Sequence, residues 1–169
     1  MKTQKSSLDL SHYPVMLSEV IHISSPNNGG IFVDCTFGGG SFSKALLEFE
    51  KTKVIGIDRD PAVISIANQL KKKYRSRFEF NKLKFSQLDN ILSSEVDAFV
   101  FDLGLSSIQL NDLKRGFSFK SKERLDMTMG LSDFSAQDVI NNLSETQLNL
   151  IIRILGEEKE SKKNSKEYC

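Results

Sequence analysis

Three short apolar runs, each ending in an aspartate, constrain this chain more than any other feature. They are Ile31-Phe-Val before Asp34, Val54-Ile-Gly-Ile before Asp58, and Ala98-Phe-Val-Phe before Asp102. Each has the length and β-branched or aromatic character of a buried strand, and the pattern reads as strands at 31–35, 53–58 and 97–101. A weaker strand fits 78–82. Helical patterns near 42–50, over 61–73 and around 86–93 fill the gaps, with Asp60 before Pro61 as the natural N-cap of the second. Strands separated by segments of this length need crossovers, so the sheet is parallel with helices on both faces. The expected class is α/β, a partial doubly wound parallel sheet. A strand order of 3-2-1-4 would leave the apolar run 97–101 at an exposed edge, and the sheet looks unfinished.

The flanks say less. Residues 1–10 are polar and expected to be loose. A short amphipathic helix fits Pro14 to His22, and Pro26-Asn-Asn-Gly-Gly30 is a turn. Residues 103–130 read as a loop-rich segment with no clear period. Helices fit 135–142 and 145–155, with Ser135 and Ser144 as N-caps and Gln147 completing a capping box with Ser144. From Gly156 the chain is charged and nearly without apolar anchors. With 169 residues, 39% of them hydrophobic and 27% charged, the chain can build one real core. A net charge of +1 gives no global field for nucleic acid, so any such contact must come from local patches. No apolar run approaches the roughly 20 residues of a membrane span, and the N-terminus has no signal-peptide core. Cys35 and Cys169 have no metal-ligand spacing, and a reducing, cytoplasmic address is the simplest expectation.

The candidate site lies at the aspartates. Gly38, Gly39 and Gly40 can form a tight strand-to-helix turn whose backbone approaches a ligand, although such a cluster is as often a plain turn. A dinucleotide fingerprint wants glycine at the first, third and sixth places; Gly38 and Gly40 fit, but Ser43 takes the sixth. Asp34 at the strand end could bind the amino-acid end of a methionine moiety. Both points favour S-adenosylmethionine over a nicotinamide cofactor. Asp58, eighteen residues after Gly40, suits a ribose diol, and Asp60 leaves it free of a capping role. Asp102, beyond the fourth strand, could accept hydrogen bonds from a substrate amine. Phe85 could flank an adenine or simply belong to the core. The run Lys71-Lys-Lys-Tyr-Arg-Ser-Arg77 reads as a basic helix end rather than an RNA contact. His12 and His22 show no metal geometry, and Cys35 reads as a small strand-end residue rather than a nucleophile.

Longer signatures run through the chain in order: His12-Tyr-Pro-Val-Met-Leu17, Asp34-Cys-Thr-Phe-Gly-Gly-Gly40, Ile57-Asp-Arg-Asp-Pro61 and Asp102-Leu-Gly-Leu-Ser-Ser-Ile-Gln-Leu110. After them come Arg115-Gly-Phe-Ser-Phe119, Leu125-Asp-Met127 with Met129, and Gly156-Glu-Glu158. In these the chain resembles the bacterial small-subunit ribosomal RNA cytosine N(4)-methyltransferases, the MraW group, and their organellar relatives. The resemblance implies a Rossmann-like SAM-dependent methyltransferase fold whose first part is 14–110, after a tail at 1–13. Residues 111–169 would be a loop and the incomplete start of a helical insertion.

It further implies a cofactor, S-adenosyl-L-methionine, held by Gly40, Ser41, Phe42, Asp58, Phe85, Asp102 and Gln109, with Arg115–Met129 shaping the substrate side. The implied reaction is methyl transfer to the exocyclic amine of one cytidine in small-subunit ribosomal RNA, within the 30S particle, with Asp102 orienting the amine. No metal and no membrane are expected, and homodimerisation is left open. There are departures. The family's Gly-His-Ser after the glycine loop is Ser41-Phe42-Ser43 here, its Pro before Leu-Asp-Met is Arg124, and its Arg after that Met is Thr128. Family members continue beyond Gly-Glu-Glu to supply further strands, so the expectation is a fragment or a prematurely stopped frame, with a non-catalytic product as the alternative.

Overall fold

The computed structural model describes residues 14–92 and 94–168, and the chain divides into two units, one ending at Ile108 and one beginning at Gln109. The expected loose tail at 1–13, including His12, lies outside the described residues, as does Cys169.

The first unit is built on four strands: β1 (Gly30–Asp34), β2 (Thr52–Asp58), β3 (Phe78–Lys82) and β4 (Ala98–Val100). All pairings are parallel, as the sequence pattern predicts, and the order is β3-β2-β1-β4. Side-chain alternation divides the core. Phe32, Val54, Phe78 and Val100 belong to a cluster with Leu46, Leu47, Ala67 and Leu70, against helices α1 (Leu17–Ser24), α2 (Ser41–Leu47) and α3 (Ile64–Tyr74). Val33, Cys35 and Ile57 form a second cluster, covered by Leu83, Leu88, Ile91, Leu92 and Val96.

Local departures have local causes. The helix expected around 86–93 is a 3₁₀ segment, Phe85–Asn90, interrupted by non-helical dihedrals at Gln87. Leu88 and Ile91 are three residues apart, the repeat of a 3₁₀ turn, and both pack on the same cluster. The first helix starts at Leu17 rather than Pro14, because Met16 is left-handed (φ 56°) and breaks the run. Asp60 caps as expected: its carboxylate accepts from the Ala62 N–H at 3.0 Å, holding a 3₁₀ turn (Pro61–Val63) that leads into α3.

The basic run closes α3, and Arg77 has a structural duty. Its Nη1 donates to the carbonyl of Leu47 (3.0 Å), which the end of α2 leaves without a helical partner, and to that of Phe49 (2.9 Å), which also accepts from Thr52. Lys73 forms an exposed pair with Glu48 and lies over the Tyr74 ring at 4.6 Å; an exposed pair of this kind is of little consequence for stability. Arg77→Met should therefore lower stability by about 1.5–3 kcal/mol, the range for hydrogen bonds to a charged group. A urea midpoint unchanged from wild type would show that those carbonyls are equally well served by water.

Strand β4 pairs with β1, and among the described residues no strand lies on its other side. Phe99 and Phe101 are 46% and 48% exposed there, so the apolar edge expected from the strand order is present.

The division between the units falls within α4 (Ser107–Asn111). The second unit continues with a 3₁₀ turn (Leu113–Arg115), α5 (Ala136–Asn142), α6 (Glu145–Ile154) and α7 (Ser161–Tyr168). Helices α5 and α6 open with complete capping boxes, Ser135 with Asp138 and Ser144 with Gln147. The loop-rich segment 103–130 holds α4 and the following 3₁₀ turn, and the charged tail contains a helix. Helix α7 packs against α6, and Ser161 and Ser165, one turn apart, are its buried residues. Small side chains on that face permit the close approach that larger polar ones would block. No helix among the described residues is long and apolar enough to cross a membrane.

Candidate functional site

The three aspartates lie at the carboxyl ends of parallel strands, where open α/β sheets place their ligands. Three hydrogen bonds tie the loops there together. The Gly38 N–H donates to Oδ2 of Asp58 at 2.8 Å, joining the glycine loop to the tip of β2. The Asp60 N–H donates to Oδ1 of the same carboxylate at 2.9 Å. The Asp102 N–H donates to Oγ1 of Thr36 at 2.7 Å, joining the tip of β4 to the chain leaving β1.

Asp58 is half-buried and ionised carboxylates offer about four lone-pair sites, so two remain after these bonds. Two free acceptor sites on one carboxylate suit the two hydroxyls of a ribose diol. Asp102 is exposed, and Phe85, 43% exposed, meets Phe101 edge to face with ring centroids 5.6 Å apart. A side chain added at Gly39 would meet nothing within 4 Å, so that face of the loop is open to a ligand.

The turn itself rests on Phe37. Gly40 is left-handed (φ 71°) at the N-cap of α2, and a Cβ there would lie 2.8 Å from the Phe37 ring. On its other side a Cβ at Gly56 would come within 2.9 Å of the same ring. Glycine at both positions lets the backbone close on the aromatic face. The Phe37 ring also contacts Phe78 and Phe80, at 5.7 and 5.2 Å between centroids.

Asp34 has a different setting from the open one expected of a ligand-binding carboxylate. It has no exposed surface; Oδ2 accepts from the Ser43 hydroxyl (2.6 Å) and Ser43 N–H (3.2 Å), and Oδ1 has no hydrogen-bond partner. Burial pushes its pKa up to about 6, against the pull of the Ser43 donors and the Thr36 backbone N–H and with the help of the neighbouring Asp58 charge. The folded protein therefore holds a proton that the unfolded chain loses between about pH 4 and pH 6. Stability from this group is complete below about pH 4, is lost as pH rises towards 6, and is flat beyond. Its size is about 2–3 kcal/mol at 1.36 kcal/mol per pKa unit. Asp34→Asn should remove this slope, read as the difference between mutant and wild-type urea midpoints at about pH 4 and pH 7. A wild-type-like slope in the mutant would place the titration elsewhere. Burial, and the Asp34 charge, push the Cys35 thiol up to about 12, so it stays protonated and is no nucleophile.

The other predicted residues are distributed unevenly. Gly38, Gly39 and Gly40 form the turn, and Ser41 begins α2. The Phe42 side chain is 5% exposed within the core, which leaves its main chain for any ligand. Gln109 belongs to the second unit. Thr36, Phe37, Ser43 and Phe101 were missed by the sequence reading. Ser43 had a signal, a small hydroxyl just inside the helix that follows a buried acid; it counted there only as a missing glycine. Its hydroxyl bond to Asp34, which glycine could not make, explains why glycine would serve badly at this place.

Residues 9–169, nearly the whole chain, match the sequence profile of the MraW methylase family. The chain belongs to the MraW methylase family. Among its relatives are proteins named ribosomal RNA small subunit methyltransferase H. That of Maricaulis maris is 43% identical over 162 residues, covering 94% of this chain and 48% of its own length. That of Rickettsia akari is 41% identical over 157 residues, with 92% and 51% covered. The Granulibacter bethesdensis protein is 41% identical over 157 residues, with 90% and 47% covered. This MraW methylase chain thus spans about half the length of the curated relatives it matches.

Proposed function

We propose that this chain takes part in S-adenosylmethionine-dependent methyl transfer to the exocyclic N(4) amine of a cytidine in small-subunit ribosomal RNA. The observation that carries the reading is the Asp58 carboxylate, anchored by two backbone N–H groups and left with two acceptor sites, beside a glycine loop open at Gly39. Membership of a methylase family, and the printed names of the relatives, supply the reaction class and the RNA.

The donor set fits the cofactor. Asp58 would hold the ribose, Phe85 would stack on the adenine, and the main chain of Gly38–Phe42 would face the methionine end. Asp34 acts beneath that turn as a positioning residue, fixing the start of α2 through Ser43. When bound, S-adenosylmethionine supplies an electrophilic methyl group on a sulfonium centre. The cytosine amine is a weak nucleophile because its lone pair is delocalised into the ring. Asp102 would accept one of its N–H hydrogens, turning the lone pair out of conjugation and towards the methyl carbon, and would take up or relay the proton released as the N–C bond replaced the methyl–sulfur bond, whose electron pair would stay on the departing thioether. Alignment of the two reactants supplies most of the rate, and the base must be presented unstacked.

Two measurements test this. Calorimetric titration of the 169-residue chain with S-adenosylmethionine should show saturable binding. Incubation with the labelled donor and small-subunit RNA or particles should give N(4)-methylcytidine on nuclease digestion. Donor binding without that nucleoside would overturn the substrate, and no donor binding by the folded chain would overturn the cofactor site.

A further inference from the structure

The segment Leu113–Arg124 has a composition unlike the rest of the second unit. In twelve residues it has five cations (Lys114, Arg115, Lys120, Lys122, Arg124), one acid (Glu123) and two phenylalanines. Phe119 is more exposed than in an extended chain, at 111%, while Lys114, Lys120, Lys122 and Arg124 are all exposed beside it in sequence.

The exposure is built rather than accidental. The Ser121 N–H donates to the Ser118 carbonyl (2.8 Å), the Lys120 N–H to the Ser118 hydroxyl (3.2 Å), and the Ser121 hydroxyl to the Leu113 carbonyl (2.6 Å). These bonds close a turn with Phe119 at its tip. At its base, the Met127 N–H donates to the Arg115 carbonyl (2.8 Å), and the Arg115 guanidinium donates to the Thr128 carbonyl and lies over Phe117 at 5.4 Å. One aromatic of the pair is thus used within the loop, and the other is held out in water, where a large apolar ring is unfavourable without a partner.

We infer that this loop is a single-stranded RNA contact in which Phe119 stacks on an unpaired base while Lys120 and Lys122 follow the adjoining phosphates. An exposed ring set among cations is the combination that single-strand binders use, because every base has a π face and every nucleotide a charge. The nearby hollow lined by Lys114, Arg124, Asp126, Ser135, Gln137 and Asp138 balances two cations against two acids and is spanned by the Arg124–Gln137 hydrogen bond (3.0 Å). Its charge is neutral, which directs a polyanion to the tip. The inference rests on the proposed RNA substrate but not on methyl transfer.

The test is fluorescence anisotropy of the full chain with a labelled pyrimidine-rich RNA of about 12 nucleotides, at several salt concentrations. Phe119→Ala should weaken binding by about fivefold or more at every salt concentration without changing the slope of log K against log salt, and Phe119→Tyr should restore it. The double variant Lys120→Gln/Lys122→Gln should instead flatten that slope by about 1.4, from 0.7 per phosphate contact on a single strand. Polyphosphate of equal charge should compete with wild type but not distinguish Phe119→Ala from it. No RNA binding by wild type, an unchanged affinity in Phe119→Ala, or an equal loss of polyphosphate binding in that variant would each overturn the inference. Failure of the methylase reading shows separately, as absent donor binding in calorimetry with the Phe119 effect intact.

Discussion

Asp58→Ala should weaken S-adenosylmethionine binding at least about 100-fold by calorimetry, because each of the two hydrogen bonds that a ribose diol makes to a charged acceptor contributes about 1.5–3 kcal/mol. The substitution also removes the acceptor that the Gly38 and Asp60 N–H groups share, so the loop loses its tie to β2 along with the ligand contact. Asp58→Asn separates the two effects. Its single carbonyl oxygen can still accept from one of these N–H groups, but the charge and half the acceptor capacity are gone. An intermediate affinity is expected for it, with near-wild-type thermal stability. A Kd for Asp58→Ala within threefold of wild type would remove this carboxylate from the site.

Phe37→Ala should destabilise the chain by about 3–5 kcal/mol, the range for deleting a buried aromatic ring. For a chain of this size that corresponds to a fall of about 6–20 °C in Tm. The ring is 2% exposed, packs on Phe78 and Phe80, and fills the space between the backbones of Gly40 and Gly56. Its loss leaves a void that glycines cannot fill, beneath the turn proposed to face the methionine. Against a total stability of order 5–15 kcal/mol, such a cost can leave a sizeable unfolded fraction at growth temperature. Phe37→Leu, which keeps most of the volume, should cost less than half as much. A Tm within 2 °C of wild type for Phe37→Ala would show that neighbouring rings close the gap and that the turn does not depend on this one.

The parallel sheet was legible because two independent constraints agree. The apolar runs are short enough to be strands, and the segments between them are too long for hairpins, so parallel crossovers follow. Asp60, Ser135 and Ser144 as caps, and the Ser144–Gln147 capping box, were legible for a similar reason, since a cap is a local interaction among residues close in sequence. The weakly periodic segments were not. Residues 85–90 became a 3₁₀ segment, and 161–168 became a helix on the strength of Ser161 and Ser165, whose burial depends on α6 and not on their own polarity.

The same distinction runs through the site. The sequence determined which loops meet at the strand ends and which residue types they offer: three glycines, an aspartate on β2 and an aspartate beyond β4, because strand length and crossover spacing set where each loop falls. The tertiary structure decided what each aspartate is left to do. Asp34 is enclosed with Ser43 nine residues later, Asp58 is shared between two backbone N–H groups, and Asp102 is held by its main chain to Thr36 with its side chain in solvent. Those differences in burial and partners separate one enclosed carboxyl from two with exposed surface. They arise from contacts between segments up to 66 residues apart, which no local pattern encodes.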